Sequence, residues 1–218
     1  MIAGSAGGRD TGCVTAALII TGAPGAGKSS ALEALATLLE LEGVAFGAIE
    51  SEQLAWGSPT LSAADWTAQL RAVLALQREA GRTLFLIAAT AETEGELRSV
   101  IDAAGANEAL VACLAAPAAL LAERLAAREP DDWPGKPALI SRARELSGAI
   151  PGLDGVDLVL DTAWLGPTQV AAQLLDALAR RGMLTGGRPS SARHAADEHP
   201  RAEVRAEHRA DLGAEQGL

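Results

Sequence analysis

Short apolar runs alternate with longer amphipathic segments along most of the chain. The runs have the length of buried strands, and the segments between them carry apolar residues at the three- and four-residue spacing of helices. This alternation is typical of a parallel sheet whose strands are joined by crossover helices. Strands are predicted at residues 14–21, 44–49, 83–88, 109–114 and 157–160. Helices are predicted at residues 28–41, 63–80, 93–104, 117–128, 137–147 and 168–181.

Local signals support two of these helix starts. Ser62 precedes the second helix with Asp65 three residues on, and Thr93 precedes the third with Glu96 at the same spacing. A hydroxyl at the N-cap position accepts a hydrogen bond from a free backbone N–H of the first turn, and an acidic residue three positions later favours the same start. Both helices are therefore expected to begin at these hydroxyl residues.

The domain organisation follows from changes in composition. We predict a flexible N-terminus over residues 1–13, one domain over residues 14–183, and a disordered charged tail over residues 186–218. The Pro-rich stretch 128–137 is expected to be an exposed loop. All three histidines lie in the tail. With no cysteine nearby, they are interpreted as solvated residues rather than as metal ligands.

Composition and charge restrict the partners. The formal net charge of −10 disfavours nucleic acid as the main partner. No apolar run approaches the roughly 20 residues of a membrane span, and the first residues do not form a signal peptide. Two cysteines do not make a disulfide framework, so a reduced cytoplasmic protein is expected, with Cys113 as a small apolar core residue.

The stretch LIITGAPGAGKSS joins the first predicted strand to the first helix and matches the pattern G-x-x-x-x-G-K-[ST]. Glycines let successive backbone N–H groups curl around a polyphosphate at the helix N-terminus. Lys28, one of only two lysines in the chain, supplies a compact charge for the β- and γ-phosphates, and the Ser29 hydroxyl suits Mg²⁺. The predicted nucleotide contacts are Gly22, Ala23, Pro24, Gly25, Ala26, Gly27, Lys28, Ser29 and Ser30.

Beyond this motif, the chain resembles the small P-loop kinases, which include the nucleoside monophosphate, shikimate, gluconate, adenylylsulfate and chloramphenicol kinases. The resemblance covers residues 14–181 and rests on GAPGAGKSS, AIESEQL, ERLAAREP and GVDLVLDT. It implies the three-layer P-loop NTPase fold, with a five-stranded parallel sheet in the order 2-3-1-4-5 flanked by helices. It also implies ATP and Mg²⁺ as cofactors.

In this family an acidic residue at the end of the second strand commonly meets the acceptor hydroxyl. The matching residues here are Glu50 and Glu52. The domain contains no histidine and the chain has no tyrosine, so general-base chemistry falls to a carboxylate. We favour Glu50, the first polar residue after the strand. The alternative is that both residues are solvated at the exit of the strand.

The resemblance also implies arginines at the nucleotide. Arg124 and Arg128 share a helix face, and the family places an arginine here near the adenine, close to Thr162 and Ala163. Others in the family reach the transferring phosphoryl group from a lid, which the resemblance implies here at residues 128–137. Arg142 and Arg144 are the next candidates, but residues two apart cannot both face the site on one helix. The alternative for each arginine is a surface ion pair, such as one between Arg128 and a neighbouring glutamate.

One departure from P-loop enzymes concerns the metal. Many of them carry an aspartate at the end of the strand beside the P-loop strand, where this chain reads FLIAATAETEGE. Thr90 or Glu92 are the candidate replacements, and Glu50 is a third. The segment 54–61 is expected to help shape the acceptor pocket. Trp56 and Trp66 are assigned either to that pocket or to packing.

The leading hypothesis is an ATP- and Mg²⁺-dependent kinase of a small-molecule acceptor, with no nucleic acid or membrane partner. The predicted catalytic residues are Lys28, Glu50, Arg124 and Arg128. The alternative is a nucleotide-binding switch or regulatory protein without such activity, since the metal-binding acid after the third strand is missing. A third possibility, hydrolysis coupled to motion, lacks any recognisable coupling motif.

Overall fold

The computed structural model describes residues 15–184. The predicted flexible N-terminus (residues 1–13) and the predicted charged tail (residues 186–218) both lie outside the described residues. The sheet has five strands: β1 (Ala16–Thr21), β2 (Phe46–Glu50), β3 (Leu84–Ala88), β4 (Glu108–Ala115) and β5 (Leu158–Asp161). All neighbouring strands pair in parallel, in the order β2-β3-β1-β4-β5. This confirms the expected architecture and strand order.

Helices connect the strands on both faces of the sheet. They are α1 (Lys28–Leu41), α2 (Ser51–Leu54), α3 (Ala63–Glu79), α4 (Glu94–Ala104), α5 (Ala118–Arg128), α6 (Lys136–Ala149) and α7 (Pro167–Arg180). The six predicted helices are all present, with ends that differ by at most two residues from the expected ones. The short helix α2 and the 3₁₀ turn Ile150–Gly152 were not predicted.

The caps explain why two helices begin where they do. The Ser62 hydroxyl accepts from the N–H of Asp65 at 3.2 Å, and the Thr93 hydroxyl accepts from the N–H of Glu96 at 3.2 Å. Each hydroxyl thereby satisfies one backbone N–H that has no acceptor within its helix. Both sequence-based helix starts are confirmed.

The core lies on both faces of the central strand. Leu18 and Ile20 of β1 face α1 and α7, whereas Ala17 and Ile19 face α3 and α4. Successive residues of a strand point to opposite faces, so β1 contributes to both apolar layers and is buried over its whole length. Cys113 of β4 is buried in the apolar layer that contains residues of α1 and α7, as expected of a small apolar residue.

The parallel arrangement places the carboxyl ends of the strands at one edge of the sheet. In the register, Ile20 lies opposite Ala88 and Glu50 lies opposite the same residue. The loop after β1, the carboxylate at the end of β2 and the first residues after β3 therefore meet at one edge, which is where open parallel sheets form ligand sites.

Candidate active site

The loop between β1 and α1 depends on glycines for two different reasons. Gly22 has φ +141°, and a Cβ atom on it would overlap the carbonyl oxygen of Leu114. Gly22 is thus required by backbone conformation and by close packing on β4. Gly27, the N-cap of α1, has φ +95°, and no atom lies within 4 Å of the position that its Cβ would take. The space in front of Gly27 is therefore open.

The surroundings of this open space favour an anion. Lys28 and Ser29 are the first residues of α1, so their backbone N–H groups have no acceptor within the helix. The positive end of the helix dipole lies at the same place and favours an anion. The Ser29 side chain is exposed beside the loop, where its hydroxyl could help to hold a magnesium ion.

Lys28 is the centre of charge in the loop. Its Nζ atom donates a hydrogen bond to the carbonyl oxygen of Gly22 at 3.0 Å and lies 4.0 Å from a carboxylate oxygen of Glu52. Burial lowers the pKa of this ammonium group below its ordinary value, and the negative charge of Glu52 opposes part of that shift. The charged form of a lysine held in this way is stabilised most by a ligand that brings further negative charge.

A cavity of about 630 Å³ opens in front of the loop; we call it the first cavity. The charged residues on its wall are Lys28, Glu50, Glu52, Arg124 and Arg128. Residues 24–31 form its floor. Thr162, Leu165, Pro167 and Val170, which follow β5 or lie on α7, form the opposite side. The structure thus brings together all four predicted catalytic residues around the predicted phosphate loop.

The two carboxylates after β2 differ in their contacts. Glu50 accepts a hydrogen bond from the side-chain amide of Gln53 at 2.9 Å. Glu52 accepts from the backbone N–H of Thr90 at 2.9 Å and from its hydroxyl at 2.7 Å. Glu52 therefore connects Thr90, which follows β3, to Lys28. The side chain of Glu50 lies on the wall of the first cavity, and its hydrogen bond is to Gln53 instead. Thr90, one of the candidate replacements for the missing aspartate, lies at that connection.

Arg124 connects the loop to the exit of β5. One guanidinium nitrogen donates to the hydroxyl of Thr162 at 3.1 Å and to the carbonyl oxygen of Gly25 at 3.3 Å. The other donates to the carbonyl oxygen of Thr162 at 2.7 Å. These contacts lie between α5 and the loop after β5, in the region where the adenine was expected.

The other candidate arginines form no hydrogen bond to the phosphate loop within the described residues. Arg128 reaches the first cavity but also donates from Nε to the carboxylate of Glu129 at 2.7 Å, which is the surface ion pair considered as its alternative. Arg142 is paired with Glu92 and with Glu145, and these hydrogen bonds raise its pKa further above the physiological range. Arg142 does not line the first cavity, and neither does Arg144, which is exposed on α6.

Lys136 was not recognised as important from the sequence. Its Nζ atom donates to the carbonyl oxygens of Ala126 and Glu129 at 2.7 and 2.8 Å and to the carboxylate of Asp131 at 2.7 Å. It therefore ties the C-terminal end of α5 to the Pro-rich loop that was predicted as a lid. Its signal in the sequence was the one already noted for Lys28, the scarcity of lysine.

A second cavity of about 670 Å³ lies next to the first. Glu52 and Thr90 line both cavities, so these two residues form the wall between them. The second cavity is bounded by the starts of α3 and α4 and by Ala55 and Leu61 of the segment expected to shape an acceptor pocket. Trp66 lines it, whereas Trp56 projects into solvent with 92% of its surface exposed. The wall also includes Thr67, Glu96 and Ser99, which were not predicted from the sequence to line a pocket.

None of the helices within residues 15–184 is both long enough and apolar enough to cross a membrane. The compartment expected from the sequence is not tested by this observation.

Comparison with known proteins agrees with this fold. The chain superposes on a sugar kinase from Janibacter sp. HTCC2649 with a TM-score of 0.56 at 20% identity, over 79% of this chain and 99% of that chain. It superposes on the APS kinase of Mycobacterium tuberculosis, solved with AMPPNP and APS, with a TM-score of 0.56 at 18% identity, over 76% and 98% of the two chains. For a gluconokinase from Sinorhizobium meliloti 1021 the values are 0.53 and 22%, over 76% and 93%.

These likenesses show that the fold is that of the P-loop small-molecule kinases. A search of curated proteins found no significant match. The model of one family, described as AAA domain, matches residues 18–144, more than half of the chain, and the chain therefore belongs to that family.

Proposed function

We propose that this protein transfers the γ-phosphoryl group of ATP, in the presence of Mg²⁺, to a hydroxyl group of a small molecule. The observation that carries this proposal is the pair of adjacent cavities whose common wall is formed by Glu52 and Thr90. One cavity surrounds a phosphate loop, and the other offers space for a second molecule beside it. The proposed domain spans residues 14–183, with the loop 128–137 as its lid, and its cytoplasmic location stays a prediction.

The phosphate loop would hold the nucleotide. Backbone N–H groups of residues 22–30 would bind the phosphates, and Lys28 would neutralise charge that develops on the transferring group. Ser29 would ligate Mg²⁺, which when bound supplies positive charge to the phosphate oxygens. Arg124 lies beside Thr162 and would contact the nucleotide near its base, and Arg128 would reach the phosphates from the lid side of the first cavity.

In the transfer, the acceptor oxygen forms a bond to the γ-phosphorus while the bond from that phosphorus to the β–γ bridging oxygen breaks. The electron pair of the broken bond leaves with ADP. The acceptor proton passes to a carboxylate. Glu52 borders both cavities and is the carboxylate that the geometry favours for this proton, although the sequence favoured Glu50. Glu50 borders the first cavity alone and would then act on the metal through water.

The proposal is tested by ADP release from Mg·ATP in a coupled assay, with pools of sugars, nucleosides, acids and antibiotics as acceptors. Lys28→Ala serves as the blank. At least one pool is expected to raise ADP production in the unmodified protein alone. If no pool does so while ATP still raises the melting temperature in a Lys28-dependent manner, the protein is a nucleotide-binding switch and the kinase proposal is wrong.

The same assay separates the two carboxylates. Glu52→Gln is expected to lower kcat by about 10²–10⁴-fold, the range of general acid–base catalysis. Glu50→Gln is expected to raise the Mg²⁺ concentration needed for half-maximal rate, with a smaller loss of kcat at saturating Mg²⁺. Glu40→Gln, on the exposed face of α1, is the matched control and should change neither quantity. A loss of kcat confined to Glu50→Gln would show that Glu50, and not Glu52, is the general base.

A further inference from the structure

We infer that the second cavity takes an acceptor without negative charge, which has an apolar face and carries several hydroxyl or amino groups. This inference rests on the proposed function, because it assigns the second cavity to the acceptor. It is drawn from the charges, the hydrogen bonds and the apolar surface of the cavity wall.

The first argument concerns charge. Among the described residues, the charged side chains on the wall of the second cavity are Glu52 and Glu96, and none is basic. The first cavity differs, since three basic side chains line it. A carboxylate or phosphate on the acceptor would meet two like charges and no basic partner, and such an arrangement disfavours the binding of an anion.

The helix starts at this cavity do not supply the missing positive charge. Both α3 and α4 begin at its wall, and a helix N-terminus on its own favours an anion. Here each start already has acidic side chains in its first turn: Asp65 in α3, and Glu94 and Glu96 in α4. The carboxylate of Glu96 also accepts the backbone N–H of Glu92 at 2.8 Å. The positive ends of both helices are therefore compensated within the protein.

Arginines that lie close in sequence or contact to wall residues do not line the second cavity. Arg142 forms ion pairs with Glu92 and Glu145. Arg71 lies one turn after Thr67 on α3 but is not part of the cavity wall and is exposed.

The second argument concerns hydrogen bonds. Four hydroxyl groups on the wall donate their proton within the protein: Ser62 to Asp65, Thr67 to the carbonyl oxygen of Ala63, Thr90 to Glu52, and Ser99 to the carbonyl oxygen of Gly95. A hydroxyl has only one proton to donate but two lone pairs that accept. These groups therefore present acceptors to the cavity, as do the carboxylates of Glu52 and Glu96. Two further hydroxyls on this wall, those of Ser51 and Thr93, donate to no group within the described residues. The wall as a whole still offers more acceptors than donors, so the ligand is expected to bring donors, which hydroxyl and amino groups do.

The third argument concerns shape. Trp66 lines the cavity, and its indole N–H donates to the carbonyl oxygen of Ser51 at 3.0 Å, which fixes the orientation of the ring. Leu61 and Val100 continue the apolar surface on either side. A fixed aromatic ring with its N–H already satisfied offers an apolar face to a ligand and no hydrogen bond. One side of the acceptor is therefore expected to be apolar.

The test compares acceptors in pairs of which one member is uncharged and the other anionic: methyl shikimate with shikimate, glucose with gluconate, and uridine with uridine monophosphate. Glucosamine and an aryl glucoside extend the panel toward positive charge and an apolar face. ADP release is measured with the full-length protein at saturating Mg·ATP. In each pair that reacts, we expect the uncharged member to have a kcat/KM at least about tenfold higher, because the anion meets like charges. Equal or better use of the anionic member would overturn the inference.

Two variants place the effect in the second cavity. Ser99→Arg puts a guanidinium on the wall of the second cavity. It should lower the ratio of kcat/KM for the uncharged member to kcat/KM for the anionic member by about tenfold or more. Thr67→Arg is the second such variant if Ser99→Arg does not fold. Arg71→Gln is the matched control and should leave the preference unchanged. A preference that changes in Arg71→Gln but not in either cavity variant would overturn the inference.

Failure of this inference can be told from failure of the proposed function. Mg·ATP binding is followed first, as a rise in melting temperature that Lys28→Ala abolishes. If the protein binds Mg·ATP and phosphorylates only anionic compounds, the acceptor class is wrong and the kinase activity stands. If it does not bind Mg·ATP, the proposed function is wrong, and the acceptor class is overturned with it.

Discussion

Arg124 donates hydrogen bonds to both the hydroxyl and the carbonyl oxygen of Thr162, which lies 38 residues further along the chain. The same guanidinium reaches the carbonyl oxygen of Gly25 in the phosphate loop. Thr162 in turn donates from its hydroxyl to the carbonyl oxygen of Ala115 at the end of β4. One side chain thus connects α5 to the phosphate loop and to the loop after β5.

Arg124→Lys should therefore weaken ATP binding more than it destabilises the fold. A lysine cannot donate in several fixed directions from one planar group, so the contacts to Thr162 and Gly25 cannot all be kept. We expect the Kd for Mg·ATP to rise about tenfold, which corresponds to the loss of about one charge-assisted hydrogen bond. Isothermal titration calorimetry measures this change directly. Arg98→Lys, on the exposed face of α4, is the control, and an unchanged Kd for Arg124→Lys would remove Arg124 from nucleotide binding.

Lys136→Met should loosen the connection between α5 and α6. The ammonium group of Lys136 is 12% exposed and satisfies two main-chain carbonyl oxygens, which would lose their partner. We expect the free energy of unfolding to fall by about 1–3 kcal/mol, measured by urea denaturation. Asp131→Asn is the matched variant, because it removes only the exposed partner of the same ammonium group and should have little effect. Equal destabilisation by both variants would contradict a main-chain role for Lys136.

Gly22→Ala should damage the phosphate loop through the backbone. The added methyl group would collide with the carbonyl oxygen of Leu114, and the φ of +141° is one that residues with a side chain rarely adopt. We expect a loss of about 2–3 kcal/mol in the free energy of unfolding, typical of overpacking with strain. ATP binding should be lost as well, as seen by thermal shift.

Gly148→Ala is the control for that variant. Gly148 lies in α6 with nothing within 4 Å of its would-be Cβ atom, so alanine should be neutral or stabilise by about 0.5–1 kcal/mol. A Gly22→Ala protein as stable as Gly148→Ala would show that the loop moves away from β4 at little cost.

The lowered pKa of Lys28 predicts how stability depends on pH. Because burial disfavours the ammonium form, the folded protein releases this proton at a lower pH than the unfolded chain does. Between the lowered pKa and the ordinary value of 10.5, the unfolded state binds more protons, so the contribution of Lys28 to stability rises with pH. The free energy of unfolding of the wild type should therefore increase relative to that of Lys28→Met as the pH rises through this range. A difference that is constant from pH 7 to about 10.5 would contradict it.

Much of the fold could be predicted because its signals are local. The strands are short apolar runs, and the helices that begin at Ser62 and Thr93 carry their caps in the sequence. The helix α2 could not be predicted, since a single turn over Ser51–Leu54 contains no full apolar period. Pro137 was taken as the first residue of α6, but the helix begins one residue earlier, at the lysine whose side chain bonds back to α5.

The site was predictable only in part, for a different reason. The phosphate loop is a continuous motif, so its residues can be recognised from neighbours in sequence, while their roles stay predictions. The choice between Glu50 and Glu52 depends instead on the direction in which each side chain leaves the end of β2, and only the Glu52 side chain bonds to Thr90, which follows β3. The walls of the second cavity come from α3 and α4, which are separated by β3 in the sequence, so their hydroxyl groups gave no common signal.

The contact between Lys28 and the carbonyl oxygen of Gly22 gives the phosphate loop an internal competitor. Any anion that pairs fully with Lys28 must first displace this carbonyl and outweigh the carboxylate of Glu52. A singly charged anion has little to offer in exchange, whereas a triphosphate would replace both interactions and add contacts along the whole loop. The resting hydrogen bond is therefore expected to act as a threshold for charge that favours polyanions over small anions before any part of the nucleotide base is recognised.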